Sequence, residues 1–273
     1  MRGAGFVAAL LLGACASLPA AQELELKGDW QQGSVVFGKV APGTKLEFNG
    51  HAVRVSPEGL FLIGLDRDEP PKAELSYTPP GGTPVRREFA VAARTYDIQR
   101  LEGLPEAQVN PPPEAQKRIA ADLRRVRAAR DRDTGRIDFA GGFIWPIVGR
   151  ISGVFGSQRI LNGTAKQPHY GVDVATPIGT PVRAPASGVV SLAVPDMYYT
   201  GGTIMIDHGH GLESTLMHLS KLLVKQGEEV KQGQVVAESG MTGRATGPHL
   251  DWRVSWFDAR VDAQLLAGPM PDK

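Results

Sequence analysis

Three short segments in the C-terminal half carry residue types suited to hydrolytic chemistry: His169-x-x-x-Asp173, His218 and His249-x-Asp251. Five of the six histidines (His169, His208, His210, His218 and His249) fall between Lys166 and Leu250. Imidazole and carboxylate are the groups that hold a hydrolytic zinc ion, which needs three protein ligands and one position left for water. The spacing suits strands, because residues i, i+2 and i+4 of a strand share a face. Two strands can therefore aim His169, Asp173, His249 and Asp251 into one cleft, with His218 arriving from a third. Along its own segment, strict alternation groups His218 with Leu216 and Ser220, opposite Met217 and Leu219. Taken singly the segments say little: a His-x-x-x-Asp pair recurs by chance, and a lone histidine among apolar neighbours is commonly a satisfied core residue. The chain has no His-Glu-x-x-His, so a glutamate base on a helix is not available.

The elements that must position these residues read as mainly β. Residues 22–100 show short apolar runs between turn signals, the pattern of a small β-sandwich. Asn49-Gly50, between Lys45-Leu-Glu-Phe48 and His51-Ala-Val-Arg-Val55, is a strong hairpin signal. Residues 101–136 form a Pro-rich and basic linker whose run to Arg130 is helix-prone. Its apolar residues Ile119, Leu123 and Val126 make a narrow stripe. The expected role is a solvated helix lying against one domain, with a basic arm for an acidic polymer as the alternative. Residues 137–265 are glycine-punctuated short strands with an imperfect repeat, Gly179-Thr-Pro-Val182 and Gly227-Glu-Glu-Val230 each leading into a second glycine turn. Residues 266–273 form a tail.

A formal net charge of +1 gives no reason to expect nucleic-acid or anionic-membrane binding. The single cysteine, Cys15, leaves the folded part without disulfide or thiolate metal site. It lies within residues 1–21, which read as a signal peptide: a basic Met1-Arg2, an apolar Phe6 to Gly13, then small residues to Ala21. An exported, periplasmic protein is expected. The alternative is a lipoprotein anchored through Cys15, the one route by which a membrane becomes a partner.

The ordered series Phe155-Gly156…His169-Tyr-Gly-Val-Asp173, Gly179-Thr-Pro-Val-x-Ala-Pro-Ala-x-Gly188, Ile206-Asp-His208-Gly…Met217-His218-Leu-Ser and Thr242-Gly-x-x-Thr-Gly247-Pro-His249-Leu resembles the M23 (lysostaphin/LytM-type) zinc endopeptidases from about Trp145 to Trp256. The resemblance implies a C-terminal antiparallel LytM-like sheet with a duplicated hybrid motif. It implies one Zn²⁺ ion, His169 and Asp173 as its first two ligands, and His218 and His249 as the catalytic pair that does not touch metal. It further implies hydrolysis of peptide cross-links in bacterial peptidoglycan. Where the family's third ligand is a second histidine, this chain has Asp251. An aspartate can ligate zinc, but one imidazole and two carboxylates leave the site formally neutral. Bound water should then be less acidic, and a harder ion such as Mn²⁺ is admitted. Tyr170, Thr246 and His208 are the candidate substrate contacts, while Tyr198 and Trp252 could line the groove or pack. Two rival functions stand beside hydrolysis: a silent LytM-like regulator, its Asp251 position no longer holding metal, that activates a cell-wall amidase or meets the division machinery, and a plain wall-binding module in which the β-sandwich does the binding.

Overall fold

The computed structural model describes residues 24–101, 113–161 and 163–272, so the signal-peptide region and Cys15 lie outside the described residues. Asn49 and Gly50 adopt φ of 47° and 78°, and the Lys45–Phe48 and His51–Val53 strands pair across them. This is the twist-matched turn that Asn-Gly favours. These strands belong to a four-stranded sheet with Lys72–Thr78 and Val85–Ala90. A second sheet joins Glu25–Lys27, Val35–Lys39 and Leu60–Gly64. Val36, Phe61 and Ile63 of the second sheet meet Leu46, Phe48 and Leu75 of the first in one apolar cluster.

The unbroken apolar run Leu60-Phe-Leu-Ile63 has a structural cause, because both faces of its sheet are covered. Val35 and Leu62 point away from the first cluster and into the core of the C-terminal region, where they join Phe139, Val172, Leu250 and Trp252. Polar ties reinforce the contact. Arg94 Nη2 lies 2.9 Å from Asp262 Oδ2, and Arg67 donates to the Gly156 carbonyl at 2.7 and 3.1 Å. The Ile98–Leu101 strand runs parallel to Gln158–Leu161, so the N-terminal segment ends inside a sheet of the C-terminal region.

That region is built on an eight-stranded sheet. Its order is Glu229–Val230, Gly188–Met197, Gly201–Asp207, Leu212–Leu219, His249–Trp256, Gly171–Ala175 and Arg150–Gly153, with Ala259–Val261 pairing to His249–Trp256. Val172, Val174, Ile204, Ile206, Leu250, Trp252 and Val254 fill one face. The opposite face carries Asp173, Asp251 and the residues that alternate with them.

The helix Pro113–Arg130 lies on this polar face. Its buried residues are Ala115, Asp122 and Ala129, spaced by seven; Ala129 packs on Leu192, Met197 and Met205. The apolar stripe is not the inner face, since Leu123 is exposed. Small residues let the helix approach the sheet, and Asp122 satisfies a turn there: its Oδ2 accepts the Tyr198 N–H at 2.8 Å. Arg118 reaches Asp196 Oδ2 at 2.7 Å. One side of the helix thus lies against the C-terminal sheet, while Lys117, Arg118, Arg124, Arg125 and Arg127 are exposed.

Candidate active site

Asp173 and Asp251 are direct cross-strand partners on adjacent strands, and Met217 is opposite Asp251 on the next. His169 precedes the Gly171–Ala175 strand and is fixed by its backbone: its N–H donates to Ser157 O, and its carbonyl accepts from the Gly156 N–H, both at 2.8 Å. The loop brings His169 Nε2 to 3.0 Å from Asp173 Oδ1. One ligand atom each from His169, Asp173 and Asp251 lies within 4.8 Å of the others. Gly171 makes room for this, since a Cβ there would collide with Asp251 Oδ1.

Two carboxylates directly opposite each other repel. Burial first, and Asp251 second, push Asp173 up to about 7. Asp173 Oδ1 is buried and accepts no hydrogen bond among the described residues. For Asp251 burial also opposes ionisation, but the charge and hydrogen bonds of Arg253 more than offset it and hold the carboxyl below its ordinary range. A nitrogen and two carboxylate oxygens converging in this way fit a divalent cation. Ligands on one tetrahedral zinc lie about 3.3 Å apart for bonds of about 2.0–2.1 Å.

Arg253 is the residue that sequence reasoning missed. Its Nη2 lies 2.7 Å and its Nε 3.1 Å from Asp251 Oδ2, and Nε is 3.2 Å from Oδ1. The signal was present: an arginine two residues beyond an aspartate on one strand shares its face. The pairing corrects the expectation of a formally neutral site. The guanidinium returns the unit of positive charge that replacing an imidazole by a carboxylate removes.

His218 enters from the Leu212–Leu219 strand, and alternation misplaces it. Its φ is 63°, and the register with Gly201–Asp207 slips between Gly202 and Ile204. This irregularity rotates the side chain off the Leu216 face, which is the usual effect of a bulge beside a functional site. The His218 N–H donates to Thr200 O at 2.8 Å. Its ring lies 4.7 Å from that of His249, centroid to centroid. Both rings are oriented by carbonyls, His218 Nδ1 by Thr242 O at 2.8 Å and His249 Nδ1 by Gly247 O at 2.7 Å. A carbonyl only accepts, so each Nδ1 carries the proton and each Nε2 is left as the functional nitrogen. His249 Nε2 lies 3.8 Å from Asp173 Oδ1. Burial lowers the pKa of His218, which favours its neutral form.

The remaining candidates divide. Tyr170 is half-buried and Thr246 exposed on the approach to His249. Tyr198 is half-buried beside the helix, with Arg118 over its ring. Trp252 is fully buried, its Nε1 donating to Ser214 Oγ at 3.3 Å. His208 is corrected outright: it is fully buried, bridges Ser187 O at 2.7 Å and Ser214 Oγ at 2.9 Å, and reaches no substrate. Burial pushes it down to about 4, so it is neutral. His208→Ala should therefore lower stability by about 3 kcal/mol through lost hydrogen bonds and a cavity. That corresponds to roughly 6–12 °C in Tm. Zinc affinity should stay unchanged by chelator competition, and an unchanged Tm would sink the packing role.

Comparison with known proteins falls on the same residues. The model of peptidase family M23 matches residues 167–263. The chain is 43% identical over 122 residues to the peptidoglycan DD-endopeptidase ShyA of Vibrio cholerae serotype O1, covering 44% of this chain and 28% of that protein. It is 40% identical over 144 residues to the DD-carboxypeptidase/endopeptidase Mpg of Neisseria meningitidis serogroup B, covering 52% and 33%. The matches thus span a third or less of these relatives. A crystal structure from Pseudomonas aeruginosa assigned to peptidase M23 superposes with a TM-score of 0.67 at 31% identity, over 88% of this chain and 96% of that one. The likeness therefore extends through the N-terminal sheets as well as the cleft that gathers His169, Asp173, His218, His249 and Asp251, and the chain belongs to peptidase family M23.

Proposed function

We propose that the protein is a zinc-dependent endopeptidase that hydrolyses D,D peptide cross-links of bacterial peptidoglycan. The observation that carries this reading is the convergence of His169, Asp173 and Asp251 opposite two histidines whose Nε2 atoms face the same space. The similar ShyA, a peptidoglycan DD-endopeptidase, and Mpg, a DD-carboxypeptidase/endopeptidase, supply the substrate class. His169, Asp173 and Asp251 would hold the zinc, which when bound supplies a Lewis acid for the amide carbonyl and an acidified water.

The chain's own residues do the rest. His218, kept neutral by burial and held by Thr242, takes the proton of the attacking water on Nε2 and returns it to the leaving amine. His249, held through Nδ1 by Gly247 O, faces the same space and lies beside the developing oxyanion. Asp173 Oδ1 lies 3.0 Å from His169 Nε2 and 3.8 Å from His249 Nε2, which places its charge between the ligand histidine and the cleft histidine. Arg253 holds the Asp251 carboxylate in place and tempers its charge. An export signal over residues 1–21, read from the sequence, fits a substrate outside the cytoplasm.

The support of His218 is itself testable. Gly201 has φ 59°, and a Cβ there would collide with Thr242 Oγ1. Gly201→Ala should push away the loop whose Thr242 carbonyl orients His218, lowering kcat about tenfold or more with a smaller change in KM. A wild-type kcat would show that the loop does not set the base.

The test of function is digestion of purified peptidoglycan by the full chain loaded with one equivalent of zinc. New amine termini should appear, and a chelator should abolish them. A second reading is favoured by one observation. The Asp251–Arg253 ion pair satisfies the carboxylate without a metal ion, as a silent regulator of a wall amidase would require. Failure to bind zinc together with intact peptidoglycan would establish that reading instead.

A further inference from the structure

The polar face of the main sheet continues beyond the metal ligands into a group of arginines. Arg253 and Ser255 follow Asp251 on the same face of the His249–Trp256 strand. Arg260 is the direct cross-strand partner of Ser255, so its side chain joins that face. Arg130, the last residue of the helix Pro113–Arg130, descends from above and donates through Nε to Ser255 Oγ at 3.2 Å. Three arginines supplied by two strands and the linker helix thus share one face of the sheet, with Arg130 bound to the buried Ser255. All three are only partly covered, so a ligand in the groove can reach them.

Their charge is poorly compensated. Arg253 is committed to Asp251. Arg260 lies over the Tyr170 ring, 5.5 Å from its centroid, and among the described residues neither Arg130 nor Arg260 forms a salt bridge. Burial lowers the pKa of both, and neighbouring arginines lower it further, Arg130 to about 10. Asp258 and Glu213 offset part of the charge, but burial holds Glu213 up at about 7, so its carboxylate is only partly formed near neutrality. Half-buried guanidiniums close enough to lower one another's pKa are the arrangement that an incoming carboxylate completes.

We propose that Arg130, Arg253 and Arg260 form a subsite for a free carboxylate of the substrate peptide, next to the scissile bond. At about 3.3 Å per strand residue, the cluster begins about 7 Å from Asp251 and is centred about 13 Å from it. That corresponds to two to four residues of an extended peptide. The subsite deepens the endopeptidase reading and rests on it for the identity of the ligand. It makes the linker helix part of the groove, and it makes the preferred substrate an acidic peptide rather than one of neutral residues.

The probe is a synthetic cross-linked peptide dimer, D-Ala joined to diaminopimelate, prepared with every carboxyl free and with every carboxyl amidated. Binding is measured by calorimetry on the full chain carrying His218→Ala, so that no turnover intervenes. The free acid should bind at least about tenfold more tightly than the amide, the scale of one charge-assisted pair. Arg260→Gln and Arg130→Gln should each bring that ratio to within about threefold of one, and Arg260→Lys should restore most of it. A general loss of fold would weaken both ligands alike and leave the ratio unchanged. A ratio near one in the parent, or one unaffected by either glutamine variant, overturns the subsite. Cleavage of the same dimers by the wild-type chain is scored separately. No cleavage with the binding ratio intact would refute the hydrolase and leave the carboxylate site standing.

Discussion

Replacing His218 by Ala should leave bound zinc near the wild-type level and lower kcat by about three orders of magnitude. The basis is positional. His218 is not among the converging ligand atoms, so its loss does not change the donor set. Its Nδ1 proton is committed to Thr242 O, which leaves Nε2 as the one nitrogen of this ring able to accept a proton. Positioned acid–base groups contribute about 10²- to 10⁴-fold. Here one residue serves both the attacking water and the leaving amine, so the upper half of that range applies. Metal analysis beside single-turnover cleavage checks the result. Activity within tenfold of wild type would remove His218 from the proposed role, and loss of zinc would make it a ligand instead.

Asp251→Ala should weaken zinc binding by a hundredfold or more. Two effects add in the same direction. One ligand of three is removed, and Arg253, which gives its two closest contacts to Asp251, is left unpaired beside the ion. An uncompensated charge in a partly buried site costs far more than the pair contributed. The double substitution Asp251→Ala with Arg253→Met should therefore recover part of the affinity lost in the single variant, by relieving the repulsion alone. Chelator competition measures both. If the single variant binds zinc as the parent does, Asp251 is not a ligand. If neither parent nor variant binds zinc, the ion pair has taken the place of the metal and the silent reading gains.

Much of this site was legible in the residues. The spacing of His169 and Asp173, and of His249 and Asp251, forecast a shared cleft. The structure brings one ligand atom each from His169, Asp173 and Asp251 to within 4.8 Å of the others. The Asn49-Gly50 hairpin was equally legible, because two positive φ angles in succession suit few other dipeptides. Local conformational preference is a property of the residues themselves, and so is the ability of a side chain to bind metal or carry a proton.

What lies opposite a residue is not such a property. Alternation set His218 beside Leu216, but the register slip and a φ of 63° turn it into the cleft. That turn is held by Thr200 and Thr242, eighteen residues before it and twenty-four after. His208 sits in a family motif beside a glycine turn, and only the packing around it reveals that it is buried. The helix shows Leu123 to solvent and buries Asp122, because the sheet beneath offers a backbone N–H to satisfy and little room for a large side chain. Local propensity and chemical type are therefore written along this chain residue by residue. The charge around the candidate metal site, the face from which His218 enters and the placing of Arg253 and Arg260 beyond it follow from long-range strand pairing, which decides what each side chain meets once water has been excluded.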